Sequence, residues 1–156
     1  MLYLAYGSNL NLEQMQYRCP GAKVVAKAAI PDYRLMFKGS KTGAYLTIEK
    51  EVGQMVPVAI WRVDDRHVKA LDRYEGFPTF YYKKWFTLDN CTDGKRHKAF
   101  AYIMHEDRSF GIPSRYYMDV CDDGYQSFGF NEQILYDALE YSKRGCADGK
   151  KLVFSA

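Results

Sequence analysis

The stretch from Lys23 to Val63, KVVAKAAIPDYRLMFKGSKTGAYLTIEKEVGQMVPVAIWRV, decides how this chain folds. Four segments of it, Lys23 to Ile30, Tyr33 to Phe37, Ala44 to Ile48 and Met55 to Val63, are β-rich and are separated by Gly, Pro or charged residues. Side chains of this kind suit a pleated, half-buried surface, so the stretch reads as consecutive strands of a largely antiparallel sheet. Upstream, Leu2 to Tyr6 reads as another strand, broken by Gly7-Ser8-Asn9, with Asn11 placed to cap a short helix through about Arg18. Downstream, Asp64-Asp65 caps a helix that carries Val68, Leu71 and Tyr74 on one face and ends at Gly76. Tyr81 to Leu88 and Lys98 to Met104 then flank Asp93-Gly94, a hairpin turn pair. After Pro113-Ser114, helical patterns run from Arg115 to Gln126 and from Asn131 to Arg144, the second closed by Gly145. The class predicted is α+β: a small mixed, strongly curved sheet or barrel with flanking helices.

Length and composition narrow the function. A chain of 156 residues is most simply one domain, 1–156, and can bury roughly two thirds of its unfolded surface. Lys and Arg number 22 against 19 Asp and Glu, and 47% of residues are apolar, an ordinary globular balance. The whole net charge of +3 is matched by the segment 83–98, where Lys83, Lys84, Lys95, Arg96 and Lys98 face Asp89 and Asp93. A charged hairpin explains that surplus, and no nucleic-acid signature accompanies it, so no nucleic-acid partner is expected. Cys19, Cys91, Cys121 and Cys146 are scattered without a C-x-x-C pair, which reads as free thiols in a reducing compartment. With no signal-peptide pattern and no apolar run of spanning length, the expected location is the cytoplasm, with no membrane partner. Nothing in the sequence marks an oligomeric state.

Two segments carry chemistry. A sharp strand-to-helix turn at Gly7-Ser8-Asn9 leaves successive N–H groups without backbone partners, a concavity that attracts a carboxylate, phosphate or oxyanion. Taken alone the tripeptide is also an ordinary turn. Ser8 lacks the G-x-S-x-G context of a nucleophile, and the phosphate-binding patterns G-x-x-x-x-G-K and G-x-G-x-x-G are absent. Glu75 ends a helix directly before Gly76 and the run Phe77-Pro78-Thr79-Phe80-Tyr81-Tyr82. A carboxyl against aromatic surface loses water, which raises its pKa toward values useful for proton exchange; an exposed helix-end carboxylate is the plainer alternative. His67, His97 and His105 have no metal-ligand spacing: His67 reads as a helix-surface residue, the others as strand or loop residues, and no metal or cofactor is expected.

In order and spacing these segments resemble the γ-glutamylcyclotransferase family, which includes γ-glutamylamine cyclotransferases and enzymes that unmask γ-glutamyl-protected antibiotics. Tyr6-Gly7-Ser8-Asn9-Leu10 is similar to the family's opening loop and Leu71-Asp72-Arg73-Tyr74-Glu75-Gly76 to the segment with its catalytic Glu. Pro113-Ser114-Arg115-Tyr116-Tyr117, followed by Gly124 and Gly129-Phe130, is similar to its C-terminal P-S-x-x-Y segment. The resemblance implies that Glu75 is the general acid/base and that Tyr6, Gly7, Ser8, Asn9 and Leu10 form a substrate loop. It also implies that Tyr82 and Tyr117 contact substrate; Tyr81 and Tyr116 stand beside them, one residue away.

The implied partner is a small-molecule γ-glutamyl compound. Its own α-amine attacks the γ-carbonyl, closes 5-oxoproline and expels a free amine, so neither an enzyme nucleophile nor a metal is required. A non-catalytic small-ligand-binding module of the same fold is the alternative, and the retained Glu75 argues against it.

Overall fold

The computed structural model describes residues 1–40 and 43–155, with side chains through 148. Its strands are β1 (Leu2–Ala5), β2 (Lys23–Lys38), β3 (Tyr45–Arg62), β4 (Tyr81–Leu88) and β5 (His97–Met104). Its α-helices are α1 (Leu12–Arg18), α2 (Asp65–Glu75), α3 (Arg115–Phe128) and α4 (Glu132–Ser155), and a 3-10 turn at Ser8–Leu10 precedes α1. The sheet order is β2-β3-β1-β5-β4, with every neighbouring pair antiparallel except β1 and β5.

The four strands expected between Lys23 and Val63 are in fact two long ones forming a bent hairpin. Pro31-Asp32 and Gly53, which read as strand ends, are bends within continuous pairing. The register slips between Pro31 and Tyr33, where Asp32 adopts φ 58°, and the Asp32 carboxylate accepts the Gly53 N–H at 3.0 Å. Bulges of this kind increase twist and curl a sheet. Here the curl brings the outer strands together: Tyr33 of β2 meets Phe86 of β4 edge-on at 5.2 Å. The loop after β4 then seals against β2, as Asn90 exchanges hydrogen bonds with Ala29, and Thr92 does so with Lys27. The result is the small, strongly curved mixed sheet that the patterning predicts.

Apolar faces of the strands fill the inside of the curl, with Leu4, Phe37, Leu46, Ile48, Ile60, Phe100 and Ile103 almost wholly buried. Helix α4 lies on β2, where Ser142 accepts the buried Phe37 N–H at 2.8 Å. Gly145, expected to close this helix, lies inside it. The Phe110 ring sits so close that a Cβ there would lie 2.5 Å from Cδ2, so the glycine makes room for a ring. Gly124 of α3 serves the 3-10 turn in the same way, since its Cβ would come within 2.7 Å of Leu10.

Helix α2 is fixed at both ends. Asp64 caps its start through the His67 N–H, and Gly76 ends it in the left-handed conformation at φ 63°, as the sequence predicts. His67 corrects the surface reading. Its Nδ1 accepts the Asp64 N–H at 3.1 Å and its Nε2 donates to the Pro20 carbonyl at 2.7 Å, which buries the ring in the α1–α2 junction. The last turn of α2 is tied to the sheet by Asp72, which accepts the Tyr102 hydroxyl at 2.5 Å and pairs with Lys83 at 3.0 Å. That anchorage points Glu75 inward.

Candidate active site

The turn after β1 and the last turn of α2 meet across a cavity of about 360 Å³. Tyr6, Gly7 and Ser8 line one side, Tyr74, Glu75 and Gly76 another, and Tyr81, Tyr102 and Tyr117 are among the residues that complete the wall. The 3-10 turn is closed by Leu10 N–H to the Gly7 carbonyl and Asn11 N–H to the Ser8 carbonyl, both at 3.0 Å. The first N–H groups of any helical turn have no acceptor within it, so those of Gly7, Ser8 and Asn9 are left over. Asn11 caps α1 directly afterwards through the Gln14 N–H, as its position in the sequence predicts.

Glu75 is the only carboxyl among the described residues that line the cavity. It is part-buried and lines the cavity. Desolvation pushes its pKa up to about 8, opposed by the positive charge of Arg18. The tyrosines around it are neutral for the same reason: burial, and then the neighbouring Glu75 charge, raise Tyr3, Tyr6 and Tyr81.

These tyrosine hydroxyls are largely spoken for within the protein. Tyr6 donates to the Tyr102 carbonyl at 2.5 Å and Tyr81 to the Leu46 carbonyl at 2.9 Å. Tyr117 accepts the Leu46 N–H at 3.1 Å, and Ser8 shares a 3.0 Å hydrogen bond with Tyr74. The wall is therefore a hydrogen-bonded frame around Glu75, the one carboxyl among the described lining residues.

Of the residues singled out in the sequence, the structure brings Tyr6, Gly7, Ser8, Glu75 and Tyr117 to the cavity. Asn9 and Leu10 lie behind it: Asn9 donates to the Tyr3 hydroxyl at 2.9 Å, and Leu10 is core. Tyr82 is not brought to it. Successive strand residues face opposite ways, and Tyr81 takes the inner position while Tyr82 donates outward to Glu106 at 2.6 Å. Sequence reasoning also missed Tyr3, Tyr45 and Tyr102 of the lining and Arg18 behind it; only an aromatic-rich composition hinted at them. The described residues contain no group of three or more His, Cys, Asp and Glu side chains placed to hold a metal ion.

A curled mixed sheet with a tyrosine-walled cavity, an N–H-rich turn and a desolvated carboxyl defines a class of small α+β proteins with a polar pocket at the end of the first strand. Comparison with known proteins makes the class specific. The family model described as gamma-glutamyl cyclotransferase, AIG2-like, matches residues 3–119, and the chain belongs to this family. The chain is 29% identical over 150 residues to bovine (Bos taurus) gamma-glutamylcyclotransferase, covering 92% of this chain and 76% of that protein. The human (Homo sapiens) protein of the same name is 29% identical over 127 residues, covering 77% and 68%. A solved structure named gamma-glutamyl cyclotransferase superposes with a TM-score of 0.76 at 26% identity, over 94% of this chain and 86% of that one.

Proposed function

We propose that this chain is a γ-glutamylcyclotransferase in which Glu75 carries the proton transfers. Family membership and relatives of that name over most of its length make it an enzyme of this type. The single observation that carries the residue-level reading is a lone desolvated carboxyl, poised at about 8, facing the guest space of a cavity that also holds unused backbone donors.

The chemistry follows from the substrate. With the γ-glutamyl chain folded, Glu75 takes a proton from the α-ammonium and frees the amine to attack the γ-carbonyl. The C–N bond of the new ring forms, the tetrahedral centre collapses, and the old amide C–N bond breaks. Two protons leave the α-nitrogen and two reach the departing nitrogen if it leaves as an ammonium ion, so one cycling carboxyl suffices and no water is consumed. Positioning the chain supplies an effective molarity that can be worth roughly 7–11 kcal/mol, and general acid–base catalysis typically adds about 10²–10⁴-fold. The N–H groups at Gly7 and Ser8 serve an anion, either the α-carboxylate or the oxyanion of the tetrahedral centre.

The substrate brings its own nucleophile, which supports turnover without metal. The described cysteines are all free thiols, which supports a reducing, cytoplasmic setting, and one sheet around one core cluster supports a single domain spanning 1–156. No helix among the described residues is long and apolar enough to cross a membrane. The test is incubation of metal-free protein with γ-glutamyl amino acids, amines, lysine isopeptides and acylated antibiotics, scored for 5-oxoproline by mass spectrometry. Release from at least one class is expected; no release from any would overturn the reading.

A further inference from the structure

Arg18 closes α1 on the far side of the cavity wall and is not itself among the lining residues. Its guanidinium is shared among three partners. One Nη donates to the Asn9 side-chain amide oxygen Oδ1 at 2.5 Å, the other donates to the Gln14 side-chain oxygen at 2.6 Å, and the plane stacks over the Tyr74 ring at 3.5 Å. Asn9 in turn donates to Tyr3, and the Tyr74 hydroxyl meets Ser8. The cation thus joins the N–H-rich turn, the β1 wall and the residue next to Glu75. Among the described residues no carboxylate lies within ion-pair distance of it, whereas Lys83, another cation near α2, is committed to Asp72.

We propose that Arg18 is a positioning residue of this site: its fork locks the turn at Ser8-Asn9 to the last turn of α2, and its unpaired charge acts on Glu75 across Tyr74. This rests on the assignment of Glu75 as the proton carrier. The other groups facing Glu75 are Tyr3 from β1 and Tyr6 directly after it, Tyr74 from α2 itself, Tyr81 from β4, Tyr102 from β5 and Tyr117 from α3, all raised by burial and so neutral near pH 8. Arg73 also lines the cavity but is exposed to water, which screens it. Arg18 is therefore the cation left to favour the ionised form, and it is the cation that lowers the Glu75 pKa.

The test compares Arg18→Gln, which loses charge and fork, with Arg18→Lys, which keeps charge but loses the planar fork and the stacking. The Glu75 carboxyl is titrated directly by NMR with carboxyl-¹³C glutamate, its signal identified by its absence in Glu75→Gln. In Arg18→Gln the midpoint should rise by roughly half a pH unit or more, and in Arg18→Lys it should return most of the way. Both variants should lose about tenfold or more in kcat/KM on whichever γ-glutamyl compound the protein cleaves, because both lose the clamp on the turn. An unmoved midpoint in Arg18→Gln, or wild-type kcat/KM in Arg18→Lys, overturns the proposal. The titration reads Glu75 whether or not turnover occurs, so a failure of the proposed activity would be seen separately.

Discussion

Glu75 at the end of α2 and the Asp122–Glu132 pair where α3 meets α4 both hold a carboxyl raised above its ordinary pKa, by different neighbours. At Glu75 desolvation dominates and the opposing charge is a cation, with neutral tyrosines around it and a cavity in front. At the helix junction desolvation is followed by a second acid: Asp122 is raised by Glu132 and, more weakly, by Asp123 and Asp119. One oxygen of each, Asp122 Oδ1 and Glu132 Oε1, is buried with no hydrogen-bond partner among the described residues, which leaves the Asp122 charge uncompensated there. Neither carboxyl lines either described cavity. A perturbed carboxyl therefore marks a site only where a guest can reach it; at the junction the same physics is packing between helices.

Replacing each acid by its amide is the hardest test of this contrast. Glu75→Gln keeps the shape and loses the exchangeable proton, so kcat should fall by about 10²–10⁴-fold with ligand binding retained. The wild-type rate on the acid side should rise with pH through about 8, because the base form does the first transfer, and that limb should vanish in the variant. The sign for stability is opposite. A carboxyl raised from 4.5 to about 8 by the fold stabilises the folded state below its unfolded pKa and loses that contribution as pH rises through 8. Glu75→Gln should consequently melt higher than wild type at pH 9, with little difference near pH 5. Turnover at the wild-type rate would place Glu75 with the junction pair, as a packing acid.

The turn at Gly7 should give the next largest effect. A Cβ there would lie 3.4 Å from the Tyr117 hydroxyl and 3.5 Å from Leu46, so one methyl fits while a branched side chain fills guest space. Gly7→Val should cost roughly ten- to hundredfold in kcat/KM, as overpacking by about 1–3 kcal/mol implies. Ser8→Ala loses one hydrogen bond to Tyr74 and should cost less than about tenfold. A larger loss in Ser8→Ala than in Gly7→Val, measured on the same substrate, would mean that the hydroxyl and not the backbone does the binding.

Neighbouring tyrosines on β4 sharpen the comparison further. Tyr81→Phe removes a hydroxyl that braces the cavity wall and should lower kcat/KM a few-fold, whereas Tyr82→Phe should leave kinetics unchanged. The reverse pattern would move the site to the outer face of the strand. The smallest effect is expected at Asp122→Asn. Kinetics should be those of wild type, and thermal stability should rise slightly where the Asp122 carboxyl is ionised, the gain fading as falling pH protonates it.

Local chemistry by itself determined much of this protein. The Asp93-Gly94 turn, the caps at Asn11, Asp64, Ser114 and Gly76, and the β-rich run from Lys23 to Val63 act within a few residues, so their outcome is written in the adjoining sequence. The strand-breaking turn at Gly7-Ser8-Asn9 and the end of a helix at Glu75 were legible for the same reason. Tertiary structure decided what depends on facing and distance. Which of Tyr81 and Tyr82 turns inward is set by the pairing of Tyr81 with Met104, and a strand's side chains change face at every residue. Gly145 reads as a helix end until Phe110, 35 positions away in the chain, occupies the space of its side chain. His67 is buried because Pro20 supplies an acceptor, and Arg18 reaches the last turn of α2 only because the curl of the sheet brings α1 and α2 together. Such choices belong to long-range packing, where the partner of a residue is fixed by the whole fold and not by its neighbours in sequence.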